Sequence, residues 1–136
     1  MADMSKTVAI AGVAESDEIG RVEGKSSLQH HAESAYNALE DAGIKMSEVD
    51  GLLSAGFSTL TLAEYMGIEP KYTDTTAVGG SSFIIHIAHA MAAINAGYCE
   101  VALVTHGQAG RRARRRPGGP APPPPPPSAP PSGFIA

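Results

Sequence analysis

The position of its prolines divides this chain into two parts with different folding prospects. Ten of the eleven prolines lie between Pro117 and Pro131, and five of the ten basic residues are arginines between Arg111 and Arg116. Because proline has no amide N–H to donate, a proline-rich stretch favours extended polyproline II or disorder over a packed core. We therefore predict one small folded domain over residues 1–110 and a disordered Arg/Pro-rich tail over residues 111–136.

Charge and cysteine content restrict the class of protein. Residues 1–110 carry five Lys or Arg against fourteen Asp or Glu, a net charge of −9, and the tail adds +5. This acidic body argues against nucleic-acid binding, which needs clustered basic residues. The single cysteine, Cys99, excludes an internal disulfide framework. With no apolar run long enough for a membrane span and no secretory signal, we expect a reduced, cytoplasmic protein.

Short apolar runs alternate with longer segments of helical periodicity. Strands are predicted near 8–14, 49–55, 72–78 and 100–105, and helices at 27–42, 59–66 and 82–96. The order βαβαβαβ predicts an α/β fold with a mostly parallel sheet and right-handed crossovers. The run at 8–14 is almost continuously apolar, which is typical of a strand buried on both faces. Helix 82–96 is apolar on nearly every side, so we expect it to be the most buried helix.

The sequence contains partial matches to nucleotide-binding and metal-binding motifs, but none has the residues and spacing that such a site needs. Gly20 and Gly24 precede Lys25-Ser26, but a P-loop needs four residues between its glycines and this loop has three. The first apolar run lacks Gly-x-Gly-x-x-Gly, so dinucleotide binding is not supported. Two histidine pairs lack the further ligands of a metal site, and we predict no metal. They are His30 with His31 and His86 with His89. Cys99 is expected to be a packed thiol.

The junction from Thr76 to Phe83 is the most informative stretch for function. A predicted strand ends there, two glycines allow a tight turn, and a helix begins with free N–H groups that attract developing negative charge. Such a junction suits a thiolate nucleophile or an oxyanion site. Ser81 and Ser82 are weak candidates for catalysis, because a serine nucleophile needs an activating base, and we expect them to cap the helix.

From Val8 to about Gly110 the sequence resembles the N-terminal half of the thiolase superfamily. The resemblance is closest to the sterol-carrier-protein-associated, lipid-transfer branch, which is often labelled acetyl-CoA acetyltransferase. It rests on the order and spacing of residues 9–13, 38–43, 49–51, 79–82, 92–97 and 101–107. Thiolases place a nucleophilic cysteine at the start of the buried helix, and counting back from Ile94 and Gly97 puts Gly80 there. The resemblance therefore implies a truncated thiolase-like half-domain without the usual nucleophile.

The resemblance also carries expectations about substrates and partners. It implies a coenzyme A thioester as substrate, no permanently bound cofactor, a homodimer and a small zinc-ribbon/OB-fold partner. The family's second half supplies a catalytic histidine and a second cysteine, so we expect this chain alone to be inactive. Branch members without the cysteine are similar to retro-aldolases of acyl-CoA thioesters or to non-catalytic subunits. Three interpretations stay open: a fragment of an acyl-CoA acyltransferase or C–C bond-processing protein, a non-catalytic thiolase-like subunit, and an α/β interaction module.

The tail matches no part of the family pattern. A mixture of Arg, Pro, Gly and Ala is what a shifted reading frame in GC-rich DNA tends to encode. We interpret residues 111–136 as a frameshift product. The alternative is a natural proline-rich linker that serves as a ligand for aromatic-lined grooves.

Overall fold

A computed structural model describes residues 7–20 and 22–109, and these residues form an α/β fold with a parallel sheet, as predicted. The tail predicted at 111–136 lies outside the described residues. The helices are α1 (Ser27–Ala42), α2 (Thr59–Met66) and α3 (Ser82–Asn95). The strands are β1 (Gly51–Ser54), β2 (Tyr72–Asp74) and β3 (Ala102–Thr105), and a short 3-10 helix spans Met46–Glu48. No helix in the described ranges is long and apolar enough to cross a bilayer.

Local sequence signals determine where α1 begins and ends. Ser26 Oγ accepts a hydrogen bond from the amide of Gln29 at 3.2 Å, and Gln29 Oε1 accepts one from the amide of Ser26 at 2.7 Å. This capping box satisfies two of the amides that a helix start leaves without partners. Gly43 ends the helix with a φ of 68°, a left-handed conformation that glycine adopts without strain.

The sheet has the order β2–β1–β3, and all three strands are parallel. The crossover from β1 to β2 and the crossover from β2 to β3 run in opposite directions, so right-handed connections place α2 and α3 on opposite faces. The central strand is buried on both sides. Leu52 packs into the core formed with α1 and α2, and Leu53 is equally buried.

Residues 8–14 differ from their prediction. They do not form a strand, and Ile10 and Val13 are 71% and 73% exposed. The segment is fastened to α1 and not to the sheet: the amide of Val13 donates to Asp41 Oδ2 at 3.0 Å, and Asn37 Nδ2 donates to the carbonyl of Glu15 at 3.0 Å. The prediction of a buried first strand is wrong for the described residues, because the segment has no neighbouring strand to pair with.

Helix α3 has nearly the predicted bounds but not the predicted burial. Ser82 and His86 lie on its buried face, whereas Ile84 is 71% and Ile87 37% exposed on a broad solvent face. The expectation that α3 is the most buried helix is therefore wrong here. The sequence of α3 is apolar on both faces, as in a helix that is buried on both faces. The described residues bury only the face toward the sheet.

Gly12 offers a test of the contact between residues 8–14 and α1. A Cβ at this position would overlap the carbonyl oxygen of Ala38 and lie 2.8 Å from the side chain of Ala42. Since a helix backbone cannot yield, Gly12→Ala should strain this contact by about 1–3 kcal/mol. We expect faster hydrogen exchange at the amide of Val13.

The matched control is Gly80→Ala. A Cβ at Gly80 meets no heavy atom within 4 Å, and the backbone there is not left-handed. Exchange at Val13 should be unchanged in this variant. Equal exchange in wild type and Gly12→Ala would show that residues 8–14 are not held against α1.

Candidate functional site

The carboxyl ends of the three strands meet at one edge of the sheet. Ser54 ends β1, Thr105 ends β3 directly opposite it, and Thr76 follows β2. The chain leaves β1 in one direction and β2 in the other, and ligands in open parallel sheets bind at the carboxyl edge where connections reverse in this way. This edge, with the β2–α3 junction, is the candidate site.

Ser82 holds the junction together. Its buried Oγ donates to the carbonyl of Gly79 at 2.6 Å and accepts from the amide of Val78 at 2.9 Å. Gly79 has a φ of 86°, which only glycine adopts readily. With its hydroxyl proton committed to Gly79 and its oxygen to Val78, Ser82 is placed to stabilise the turn and not to attack a substrate.

Gly80 and Ser81 lie exposed at the start of α3. Ser81 occupies the N-cap position, but its side chain makes no capping hydrogen bond. Gly80, which the resemblance aligns with the thiolase nucleophile, has open space where a side chain would project. The described structure therefore brings no replacement nucleophile to this position.

The first turn of α3 leaves amides available to an anion. The amide of Ser82 donates to Gly79 O and that of Ile85 to Ser81 O, at 3.1 and 3.3 Å. Within the described ranges, the amides of Phe83 and Ile84 have no acceptor. Open amides and the helix dipole together favour negative charge at this end.

Two histidines of α3 fasten the strand-to-helix loop. His86 Nε2 lies 2.9 Å from the carbonyl oxygen of Thr76. Because a carbonyl only accepts, Nε2 carries the proton and Nδ1 is an acceptor in the neutral ring. His86 is fully buried, and its Nδ1 has no partner among the described residues.

His89 pairs with Asp74 at the end of β2, with 2.5 Å between Nδ1 and Oδ2. Burial of Asp74 disfavours its charged form, but hydrogen bonds from Thr76 and His89 outweigh burial and lower the pKa of Asp74 to about 2. The carboxylate is thus ionised at neutral pH and holds both the loop and α3. His86 and His89 serve separate acceptors and do not form a ligand pair.

A histidine not singled out by its sequence pattern connects α1 to the start of α3. The ring of His106 lies 4.7 Å from that of Phe83 and 6.0 Å from that of His31, measured between centroids. His106 follows β3 and is exposed. Its position one residue beyond a buried strand is the signal that marks it as a candidate, because the carboxyl ends of parallel strands carry binding residues.

His31 is 1% exposed and lies behind His106. The hydroxyl of Thr105 donates to the carbonyl of His31, so its oxygen accepts from His31 Nδ1, both at 3.2 Å. Burial lowers the pKa of His31 to about 4, and the nearby His106 and His30 act in the same direction, while the backbone of Gly107 opposes them. His31 is therefore neutral at pH 7.

Cys99 lies away from the candidate site. Cys99 is buried against Gly51 at the opposite edge of the sheet, and burial raises the pKa of its thiol. This is the packed thiol that the sequence predicts. Within residues 7–20 and 22–109, no group of three or more His, Cys, Asp or Glu side chains is arranged to hold a metal.

Solved structures match the described fold. A structure of the Ltp2–ChsH2(DUF35) aldolase shares 30% sequence identity with a TM-score of 0.71 over 82% of this chain. The monomeric SCP2-thiolase like protein type 1 of Mycobacterium smegmatis shares 25% identity with a TM-score of 0.58 over 70% of this chain. The chain has the fold of the thiolase superfamily.

The chain is short beside these neighbours. It spans 30% of the aldolase chain and 22% of the mycobacterial chain. OleA of Xanthomonas campestris in complex with cerulenin, at 19% identity, matches in fold with a TM-score of 0.56 over 63% of this chain and 29% of its own. No protein-family model and no curated protein sequence matches the chain.

His31 makes the stability of the described domain pH-dependent. Between pH 6.5 and about 4 an unfolded histidine binds a proton that folded His31 does not. The free energy of unfolding should therefore fall as pH falls through this window, with no further contribution from His31 above or below it. Urea denaturation at several pH values measures the slope.

His31→Gln should flatten this part of the pH profile, and His30→Gln on the same turn of α1 is the matched control. The control should keep most of the wild-type slope, because burial, the main cause of the lowered pKa of His31, is unchanged. Parallel profiles for wild type and His31→Gln would contradict the assignment of a neutral, buried His31.

Proposed function

We propose that this chain is part of a thiolase-superfamily protein that processes acyl-CoA thioesters in lipid or sterol metabolism. Among the acyltransferase and C–C bond-processing reactions of such proteins, the geometry supports retro-aldol cleavage of an acyl-CoA best. The observation that carries this choice is position 80. A glycine with open space stands there, and the serine hydroxyl two residues later is committed to the turn.

Retro-aldol chemistry needs no covalent acyl-enzyme. A base takes the proton of a β-hydroxyl group, a Cβ=O bond forms as the Cα–Cβ bond breaks, and the electrons of the broken bond move onto the thioester carbonyl as an enolate, which is then protonated at Cα. The protein must stabilise that negative oxygen, and preorganised amide donors do so effectively. The open amides at the start of α3 supply donors of this kind. The 30% identity to an aldolase supports the same choice.

A non-catalytic thiolase-like subunit is the second candidate. It is favoured by the histidines nearest to the junction, since His86 is bound to Thr76 and His89 to Asp74. Neither is placed as a free base beside Gly80. A subunit of this kind would bind acyl-CoA, or stabilise a partner protein, without catalysing a reaction of the acyl-CoA.

The proposed assembly includes a homodimer and a small zinc-ribbon/OB-fold partner. β2 lies at one edge of the described sheet, and exposed strand edges tend to be paired or covered. Acyl-CoA remains a substrate and not a resident cofactor in this proposal, and the cytoplasm is its proposed location.

Titration with acetyl-CoA tests the proposed site. We expect NMR shift changes at the amides of Gly80, Ser81, Phe83 and Ile84, because these donors face an incoming thioester oxygen or phosphate. ATP, which shares the adenine and phosphates of coenzyme A but no thioester, is the control ligand. Changes confined to other parts of the chain, or equal changes with ATP, would contradict recognition of the thioester at this junction.

The variant Gly80→Cys tests whether a thiol at position 80 is reactive and, separately, whether it is sufficient for catalysis. The new side chain has room, and the helix start should lower the pKa of the thiol, so iodoacetamide should label it faster than the buried Cys99. Ser47→Cys, in the exposed 3-10 helix, provides a reference thiol away from α3.

Condensation of two acetyl-CoA molecules by Gly80→Cys should stay at the no-enzyme background. A thiol alone cannot also move the protons that release coenzyme A and form the second nucleophile. Turnover above background would show that the segment carries more of the catalytic machinery than its geometry indicates.

A further inference from the structure

Two buried polar atoms on the side of the sheet that carries α1 have no hydrogen-bond partner among the described residues. They are Nε2 of His31 in α1 and Oγ of Ser54 at the end of β1. The two residues are only 1% and 0% exposed. A buried polar atom without a partner costs free energy, and an ordered water is a common partner for such atoms.

The strand register places Ser54 beside the ring of His31. Ser54 pairs with Thr105, and Leu52 pairs with Leu103. Leu52 and Leu103 belong to the core that includes the inner face of α1, and side chains two residues apart on a strand share a face. The side chains of Ser54 and Thr105 therefore also face α1, on neighbouring strands about 4.8 Å apart. Because Thr105 Oγ1 lies 3.2 Å from His31 Nδ1, the His31 ring and the Ser54 hydroxyl are both neighbours of Thr105.

The hydrogen-bonding needs of the two atoms are complementary. The hydroxyl of Thr105 donates to the carbonyl of His31 and accepts from Nδ1, so Nδ1 carries the proton of the neutral ring. His31 Nε2 is then an acceptor, whereas the hydroxyl of Ser54 supplies a donor. No direct hydrogen bond joins these two atoms. A water molecule between them can donate to Nε2 and accept from Ser54.

Gly107 supplies a third polar group at the same place. A Cβ on Gly107 would lie 2.5 Å from the amide nitrogen of His31 and 2.8 Å from Cδ2, the ring carbon bonded to Nε2. Burial is the main cause of the lowered pKa of His31, and the backbone of Gly107 raises that pKa, as a carbonyl acceptor close to the ring does. The rings of Phe57 and His106 lie 5.3 and 6.0 Å from that of His31, measured between centroids.

We propose that His31, Ser54 and Gly107 bind one buried water molecule beneath the carboxyl edge of the sheet. The water donates to His31 Nε2 and to the carbonyl of Gly107, and it accepts from Ser54 Oγ. About three hydrogen bonds are typical of a buried water in a protein. This water connects β1, α1 and the segment that carries His106, so it helps to hold one side of the candidate site in place.

The neutrality of the three partners favours water over an ion. His31 is neutral at pH 7, and a hydroxyl and a carbonyl carry no charge. An ion buried among neutral groups lacks an opposite charge, which makes its desolvation far more costly than that of water. An apolar molecule would leave the same polar atoms without partners.

NMR of the isotope-labelled full chain at neutral pH tests the proposal. We expect a nuclear Overhauser effect between water and the Cδ2 proton of His31, with the same sign as the effects within the protein. That sign identifies a long-lived water, and a carbon-bound proton does not itself exchange with solvent. Long-range proton–nitrogen spectra of His31 should show a protonated Nδ1 and an unprotonated Nε2.

Two variants of Ser54 remove its part of the water site. In Ser54→Ala the water signal at His31 should be lost, and the Nε2 resonance should move downfield because the nitrogen loses its hydrogen bond. Ser54→Cys fills the same space with a weak donor, so it should act in the same direction even where the smaller alanine admits additional solvent. Thr59→Val is the control, since it removes a hydroxyl from another buried residue and should leave both signals unchanged.

Three outcomes would overturn the proposal. The first is the absence of a long-lived water signal at His31 in the folded wild-type chain. The second is a water signal that persists at full intensity in both Ser54 variants, with urea denaturation confirming that they are folded. The third is scalar coupling between the Ser54 hydroxyl proton and His31 Nε2, which would show that the two groups bond directly without water.

Discussion

Asp50 ties the amino ends of all three strands together, and the candidate site depends on that connection. Its Oδ1 accepts from the amides of Glu100 and Val101 at 2.8 and 2.9 Å. Its carbonyl accepts from the amides of Lys71 and Tyr72, and its Oδ2 pairs with Lys71 Nζ at 3.3 Å. Burial of the Asp50 carboxylate opposes ionisation, but these bonds lower its pKa overall. Because parallel strands share one register, an alignment made at one edge also sets the relative heights of Ser54, Thr76 and Thr105 at the other.

At the carboxyl edge of the sheet, side chains hold the β2–α3 loop in place, while the position of Gly80 has open space. Ser82 and His86 make hydrogen bonds to the loop that leads into α3, and His89 makes one to Asp74 at the end of β2. The open amides and Gly80 are what remain for a ligand. A junction built in this way can orient an anion or a thioester oxygen, whereas Ser82 Oγ is committed to the turn and His86 and His89 are bound to Thr76 and Asp74. These commitments support the proposed retro-aldol chemistry or binding role over Claisen condensation.

Features that depend on nearby residues were predictable from the sequence. The capping box of Ser26 and Gln29, the stop at Gly43 and the bounds of α3 follow from local spacing. The alternation of predicted strands and helices was sufficient to predict the parallel sheet. The contact of His31 with Thr105 was not predictable, since 74 residues separate the two. His106 was missed for the same reason: its importance comes from Phe83 and His31, which only the fold brings close.

The two errors about burial have one physical origin. Residues 8–14 and the outer face of α3 both have the apolar composition of segments covered on every side, yet Val13 and Ile84 are exposed. The apolar pattern of a segment indicates how much of it is normally buried. The structure shows how much of it the described residues of this chain bury. Large exposed apolar surfaces are unfavourable in water and typically mark contact sites.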